Sequence, residues 1–190
     1  MPQRLGATPQ LLLNLQLVGE AADELIALFG SLGVACDAQA IELGTALHDV
    51  GKIVHRNELS GPGHQHEQDG QRLLLTQGVP AKLAHHCASH AAWDAPAVSF
   101  EEPAVALADA LWKRARIEAL ELRVNDAAAT QLGVDRWTAF TAMHDGFERI
   151  SNGGSERLAR SRNIRSSVRD TSSSSQLIHE LTDASHALNS

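Results

Sequence analysis

Leu47-His48-Asp49-Val50-Gly51-Lys52 sets a histidine beside a carboxylate, two residues ahead of Gly-Lys, inside the largely apolar run 41–53. An imidazole nitrogen and a neighbouring carboxylate oxygen can both reach one divalent cation. Burial of such groups is tolerable only when an ion or a partner satisfies them. The pair reads as metal-binding, although a His-Asp dipeptide alone is a weak signal and many lie on protein surfaces. Its setting also points to a fold. Asp37 is placed to cap a helix over 38–49, whose apolar positions Ile41, Ala46 and Leu47 lead into the pair near the helix C-terminus.

The helical pattern extends outward on both sides. Leu11, Leu15, Val18, Ala22, Leu25, Ile26 and Phe29 recur at helical spacing, which predicts an amphipathic helix over 11–32 that stops near Gly30 and Gly33. Gly51 allows a turn, and Leu59-Ser60-Gly61-Pro62-Gly63 is a loop. Further helices are expected over 64–75, 80–92, 104–124 (opened by Pro103) and 135–150, the last stopping at Asn152-Gly153-Gly154. Trp137, Phe140, Met143 and Phe147 share one face of that last helix and read as core. No strand pattern or internal repeat emerges, so the chain is expected to be an all-α bundle of six to seven helices over 1–154. The Arg- and Ser-rich stretch 155–190, with a short amphipathic segment from Gln176, is expected to be a flexible tail. Its Arg157, Arg160, Arg162, Arg165 and Arg169 also suggest a basic surface for an anionic partner.

Composition supports this class and narrows the function. The chain of 190 residues can bury a core without disulfides or other staples. Only 4% of residues are aromatic and there is no tyrosine, so Leu, Ala, Val and Ile must build that core, which favours packed helices over a β-sandwich. A formal net charge of −7 speaks against non-specific binding to nucleic acid or anionic membranes. Cys36 and Cys87 form no Cys-x-x-Cys pair, there is no signal-peptide pattern, and no apolar run is long enough to span a bilayer. A cytoplasmic protein is the expectation, with homo-oligomerisation left open.

Seven of the ten histidines fall between His48 and His90, and Asp109 lies in the apolar stretch Val105-Ala106-Leu107-Ala108-Asp109-Ala110-Leu111-Trp112. Neutral imidazole is a ready metal ligand near pH 7. His86 and His90 are four apart and share a helix face, and Gly70, four residues after His66, is expected to leave room there for a metal or substrate. A carboxylate among apolar neighbours is costly unless paired, and a cation near Asp109 would remove that cost. Lys113 or Arg114 could serve instead. His55, His64, His85, His144, His179 and His186 read as surface or loop residues.

Together these residues resemble the HD superfamily of metal-dependent phosphohydrolases. His48-Asp49 matches the doublet that names the family, Val50-Gly51-Lys52-Ile53 its continuation, and Asp109 within Leu-Ala-Asp-Ala-Leu its late aspartate. His66 to Gly70 resembles the His-x-x-x-Gly element of two-metal members, and His90-Ala91-Ala92-Trp93-Asp94 their histidine shortly before Trp-Asp. The Gly-Tyr-Pro of the branch that hydrolyses cyclic di-GMP is missing after Asp94, so that activity is not assigned. The resemblance implies a helical HD domain that hydrolyses a nucleotide or other small phosphoester with one or two divalent ions (Mn²⁺, Mg²⁺, Co²⁺, Ni²⁺, Zn²⁺ or Fe). His48, Asp49 and Asp109 would hold one ion, and His66 and His90 a second bridged by Asp49. The family's first ligand is a histidine on the opening helix; here the aligned residue is Asn14, a weaker transition-metal ligand.

Asp49 and Lys52 are therefore the expected catalytic residues, with Lys52, Arg72 and Lys113 as candidate contacts to a substrate phosphate. Two alternatives stand beside hydrolysis. One is a catalytically impaired domain that binds metal or nucleotide for regulation. The other is a di-iron oxygenase, which requires both His66 and His90.

Overall fold

A computed structural model describes residues 1–96 and 98–187, with side chains up to residue 164. Among them every regular element is helical. The order is α1 (Pro9–Leu32), α2 (Ala38–Leu47), α3 (Gln65–Thr76), α4 (Ala81–Ala84), α5 (His86–Ser89), α6 (Glu101–Leu111), α7 (Glu118–Leu132) and α8 (Arg136–Ala187), with 3-10 turns at Pro2–Leu5, Val50–Ile53 and Arg56–Leu59. No helix among the described residues is long and apolar enough to cross a membrane.

The first two helices begin and end where side-chain chemistry dictates. Thr8 Oγ1 accepts from Leu11 N at the start of α1, and Gly33, at φ 77°, closes it in the left-handed conformation that glycine adopts without strain. Asp37 caps α2 by accepting from Ala40 N at 3.0 Å. α1 is the central post, packing against α2, α6 and α8. Leu17, Leu25 and Phe29 of α1 are buried with Ile41, Leu107, Leu111, Leu120, Val124, Met143, Phe147 and Ile150. Burying each large apolar side chain contributes about 1.5–3 kcal/mol. A smaller cluster of Leu47, Val50, Leu74, Ala84 and Cys87 supports the opposite end of α2, directly beneath the His-Asp pair.

Several sequence expectations change in the structure. The helix expected over 104–124 is two helices. α6 begins at Glu101, with Pro103 inside its first turn, and ends at Leu111; Arg114 then takes φ 64° and Ala115 N bonds back to Ala110 O at 3.0 Å. A reversal through a non-glycine left-handed residue has no Gly or Pro to announce it. The helix expected over 80–92 is assigned as α4 and α5, although His85 between them keeps helical dihedrals (φ −63°, ψ −26°).

The last helix does not stop at Asn152-Gly153-Gly154 but continues as α8. Gly154 is a close-approach residue: a Cβ there would lie 2.7 Å from Arg114 Cγ and 2.8 Å from the Trp112 carbonyl. Trp137, expected in the core, is 68% exposed and packs its ring on Phe140, while Met143 and Phe147 are buried.

The beginning of the presumed tail also belongs to the bundle. Arg157 and Ser161 are buried; Arg157 pairs with Glu24, and Arg160 holds Glu20 through two hydrogen bonds of 2.7 Å. The side chains of Arg165, Arg169, Ser172 to Ser175, His179 and His186 lie outside the described residues.

Candidate metal centre

The site forms where α2 runs out. His48 and Asp49 follow its last turn, and the chain then tightens into the 3-10 turn Val50–Ile53. Gly51 permits this in an unexpected way. Any Cβ there would collide with the His66 carbonyl and crowd Gly70 N, so Gly51 and Gly70 let the turn and α3 meet backbone to backbone. The space at Gly70 expected for a metal or substrate is therefore filled by Gly51. That contact brings His66 to Asp49. α5 supplies His90 just beyond its end, and α6 supplies Asp109 from its last turn.

The ligand-type atoms converge on Asp49. Its Oδ1 lies 3.2 Å from His66 Nε2 and 3.9 Å from His90 Nε2, and its Oδ2 lies 3.6 Å from His48 Nε2. His48 Nε2 is also 3.6 Å from Asp109 Oδ1. Two groups have their potential ligand atoms within 4.8 Å of one another, one of His48, Asp49 and Asp109, the other of Asp49, His66 and His90. Asp49 belongs to both.

The histidines share a further feature. Each has its Nδ1 against an oxygen outside the cluster: His48 on the Thr45 carbonyl (2.9 Å), His66 on Glu58 Oε2 (2.5 Å) and His90 on the His86 carbonyl (3.1 Å). These acceptors favour a proton on Nδ1, which leaves the Nε2 lone pair directed inward in the neutral ring. His48 Nε2, His66 Nε2 and Asp49 Oδ1 are buried and make no well-aligned hydrogen bond among the described residues. Buried polar atoms rarely go without partners, and three converging on one point suit a cation.

Charge around the centre is arranged to keep the carboxylates ionised. Burial opposes the charge on Asp49, but His48, His66, Lys52 and His90 hold its pKa well below the ordinary aspartate range. Burial likewise opposes ionisation of Asp109, and it too is held low, by the nearby His48 imidazole and the charge of Lys113. Burial disfavours protonated His48 and His66; for His48 the Asp49 and Asp109 carboxylates outweigh it, and for His66 Asp49 and Glu58 do, so both pKa values rise. Burial and the nearby His48 bring His90 down to about 4. The Cys87 thiol beneath the site is pushed up to about 12, chiefly by burial, and donates to the Leu47 carbonyl, so it is an inert packing group.

No protein-family model, curated protein or solved structure matches this chain.

Of the residues singled out in the sequence, His48, Asp49, His66, His90 and Asp109 meet in one place. Lys52 Nζ lies 2.6 Å from Asp49 Oδ2 and Lys113 Nζ 2.9 Å from Asp109 Oδ2, so each carboxylate carries a lysine. Trp112 Nε1 donates to Asp109 Oδ1 at 3.0 Å. Asn14 Oδ1 accepts from Gln10 Nε2 (2.8 Å) and Ser161 Oγ (3.0 Å). Arg72 pairs with Asp69 at 3.1 Å, its side chain is 71% exposed, and it lines a separate polar cleft with His55 and His64.

Glu58 is the residue that sequence reasoning missed. Besides His66 Nδ1, it accepts from the backbone N–H groups of Gln65 and His66, which fixes both the start of α3 and the orientation of the His66 ring. A glutamate three residues beyond His55, in the short 3-10 turn Arg56–Leu59, has no spacing that would single it out.

Proposed function

We propose that this chain is a metal-dependent phosphohydrolase acting on a nucleotide or another small phosphoester. The observation that carries this reading is the convergence of three Nδ1-anchored histidines, the buried His48 and His66 and the half-buried His90, and the Asp109 carboxylate around Asp49. The donor set fits a divalent cation, with imidazole nitrogens and carboxylate oxygens only. His48, Asp49 and Asp109 would hold one ion, His66 and His90 a second, with Asp49 shared. A cation so held lowers the pKa of bound water and neutralises charge on phosphoryl oxygens.

The chain's own groups supply the rest. Thr45, Glu58 and the His86 carbonyl hold the imidazoles in one orientation, which limits reorganisation when a ligand arrives. Lys52 and Lys113, resting on the carboxylates, are compact positive charges suited to a phosphate. The resemblance to HD phosphohydrolases in His48-Asp49-Val50-Gly51-Lys52 and Leu-Ala-Asp109-Ala-Leu adds to this reading, as does the net charge of −7, which disfavours a long polynucleotide.

A second reading rests on Asn14. Its oxygen is already taken by Gln10 and Ser161, so a centre without a ligand from α1 would bind metal or nucleotide without turnover. Phosphate release from a panel of nucleotides and sugar phosphates, with Mn²⁺, Mg²⁺, Co²⁺, Ni²⁺, Zn²⁺ or Fe²⁺ added in turn, tests the proposal. Metal-dependent release that Asp49→Ala abolishes supports hydrolysis. Metal binding with no release across the panel favours the second reading.

A further inference from the structure

A second concavity lies on the other side of the loop that follows His90, against the outer face of α7. It encloses about 640 Å³, within the usual range for a small-molecule pocket. Trp93, Phe100, Pro103 and Leu122 give it largely apolar walls. The polar groups at its far end are committed to the fold. Asp126 holds Arg136 through hydrogen bonds of 2.6 and 2.5 Å, Gln131 Oε1 accepts from Ala35 N, and the Thr130 hydroxyl donates to the Asp126 carbonyl.

Arg123 is different. Among the described residues it is the one cation in the lining, and its Nη2 makes a single long bond, 3.3 Å, to the Ala95 carbonyl. Its Nε is closed off from solvent with no hydrogen-bond partner, and Asp126, one turn along the same helix, is held by Arg136. A guanidinium presents N–H groups in a fork that matches a carboxylate, and one with no carboxylate partner among the described residues, beside apolar walls, favours an anion at its terminal nitrogens.

We infer that this cleft binds a small planar apolar carboxylate, its charge on Arg123 and its body against Trp93 and Leu122. A single cation suits a monoanion better than a phosphate dianion, and the aromatic walls favour a flat ring system. The site is separate from the metal centre and does not depend on hydrolysis.

The test titrates the full chain with 2-naphthoate and with its uncharged analogue 2-naphthalenemethanol, following the indole N–H signals of Trp93, Trp112 and Trp137 by nitrogen-15 NMR, with Trp93→Phe fixing the assignment. Naphthoate is expected to move the Trp93 signal to saturation, and the alcohol to bind at least about tenfold more weakly, as loss of a charge-assisted contact requires. Arg123→Gln should weaken naphthoate to the level of the alcohol, with the other two indole signals reporting an intact fold. Equal affinity for acid and alcohol in the unaltered protein overturns the assignment to Arg123. No shift of the Trp93 signal overturns the site itself, whether or not Arg123→Gln folds.

Discussion

Along the seam between α1 and α8, Asn14 Oδ1 receives hydrogen bonds from Gln10 and Ser161, and Glu20 and Glu24 hold Arg160 and Arg157. At the end of α2, by contrast, His48 Nε2, His66 Nε2 and Asp49 Oδ1 converge without well-aligned partners. Both regions bury polar groups between helices. In the seam the groups answer one another, leaving only Gln10 Oε1 unsatisfied among the described residues, so the network serves as a fastening. At the candidate metal centre the histidine Nδ1 atoms are satisfied, while His48 Nε2, His66 Nε2 and Asp49 Oδ1 are not. An isolated protein would lose stability from such an arrangement, and a bound cation would reverse that loss.

Substitutions should separate the two regions. The largest effect is expected from Gly51→Ala, whose Cβ would meet the His66 carbonyl; backbone against backbone cannot yield cheaply, so unfolding free energy should fall by about 3 kcal/mol or more in a denaturant titration. An unchanged midpoint would mean that α3 does not press on the turn as described. Glu58→Gln should come next. It weakens the anchor of His66, and loss of the group that orients a ligating histidine costs about tenfold to a hundredfold in metal affinity, measurable by competition with a chelator.

Asn14→Ala should act in the opposite sense: about 1 kcal/mol lost from stability through the seam, with metal stoichiometry unchanged. Lower metal content in that variant would join the two regions and return Asn14 to the ligand shell. The smallest effect is electrostatic. The hydrogen bonds from Arg160 hold the Glu20 pKa below its ordinary value, so the pair stabilises the folded state fully above the ordinary glutamate pKa. That contribution is lost as pH falls through the depressed folded value. Arg160→Ala should flatten this part of the acid limb of a stability profile, and an unaltered profile would show that the pair contributes nothing.

Legibility in the sequence followed the locality of the cause. The end of α1 and the start of α2 could be read because Gly33 and Asp37 act on backbone groups within a few residues. The reversal at Arg114 could not, since it relies on a left-handed non-glycine residue and on Gly154 of α8 packing against it. For the same reason Gly153-Gly154 misled: glycine punctuates a helix locally but also permits a crossing, and only the partner chain segment decides which.

At the site, His48-Asp49 and the spacings of His66, His90 and Asp109 were visible as residue types in suggestive settings. Ser161 takes Asn14 across 147 residues, and no alignment of α1 alone reveals that. Trp137 obeyed the helical period yet faces solvent, with its ring on Phe140.

The most direct measurement is elemental analysis of the purified chain beside Asp49→Ala, each loaded with divalent metal and desalted, with circular dichroism confirming that both are helical. Asp49 is shared by both ligand groups, so the unaltered chain should retain metal in stoichiometric amount and the variant should lose it. Equal metal content in the two folded proteins, or none in either after loading, would contradict a metal centre built around Asp49.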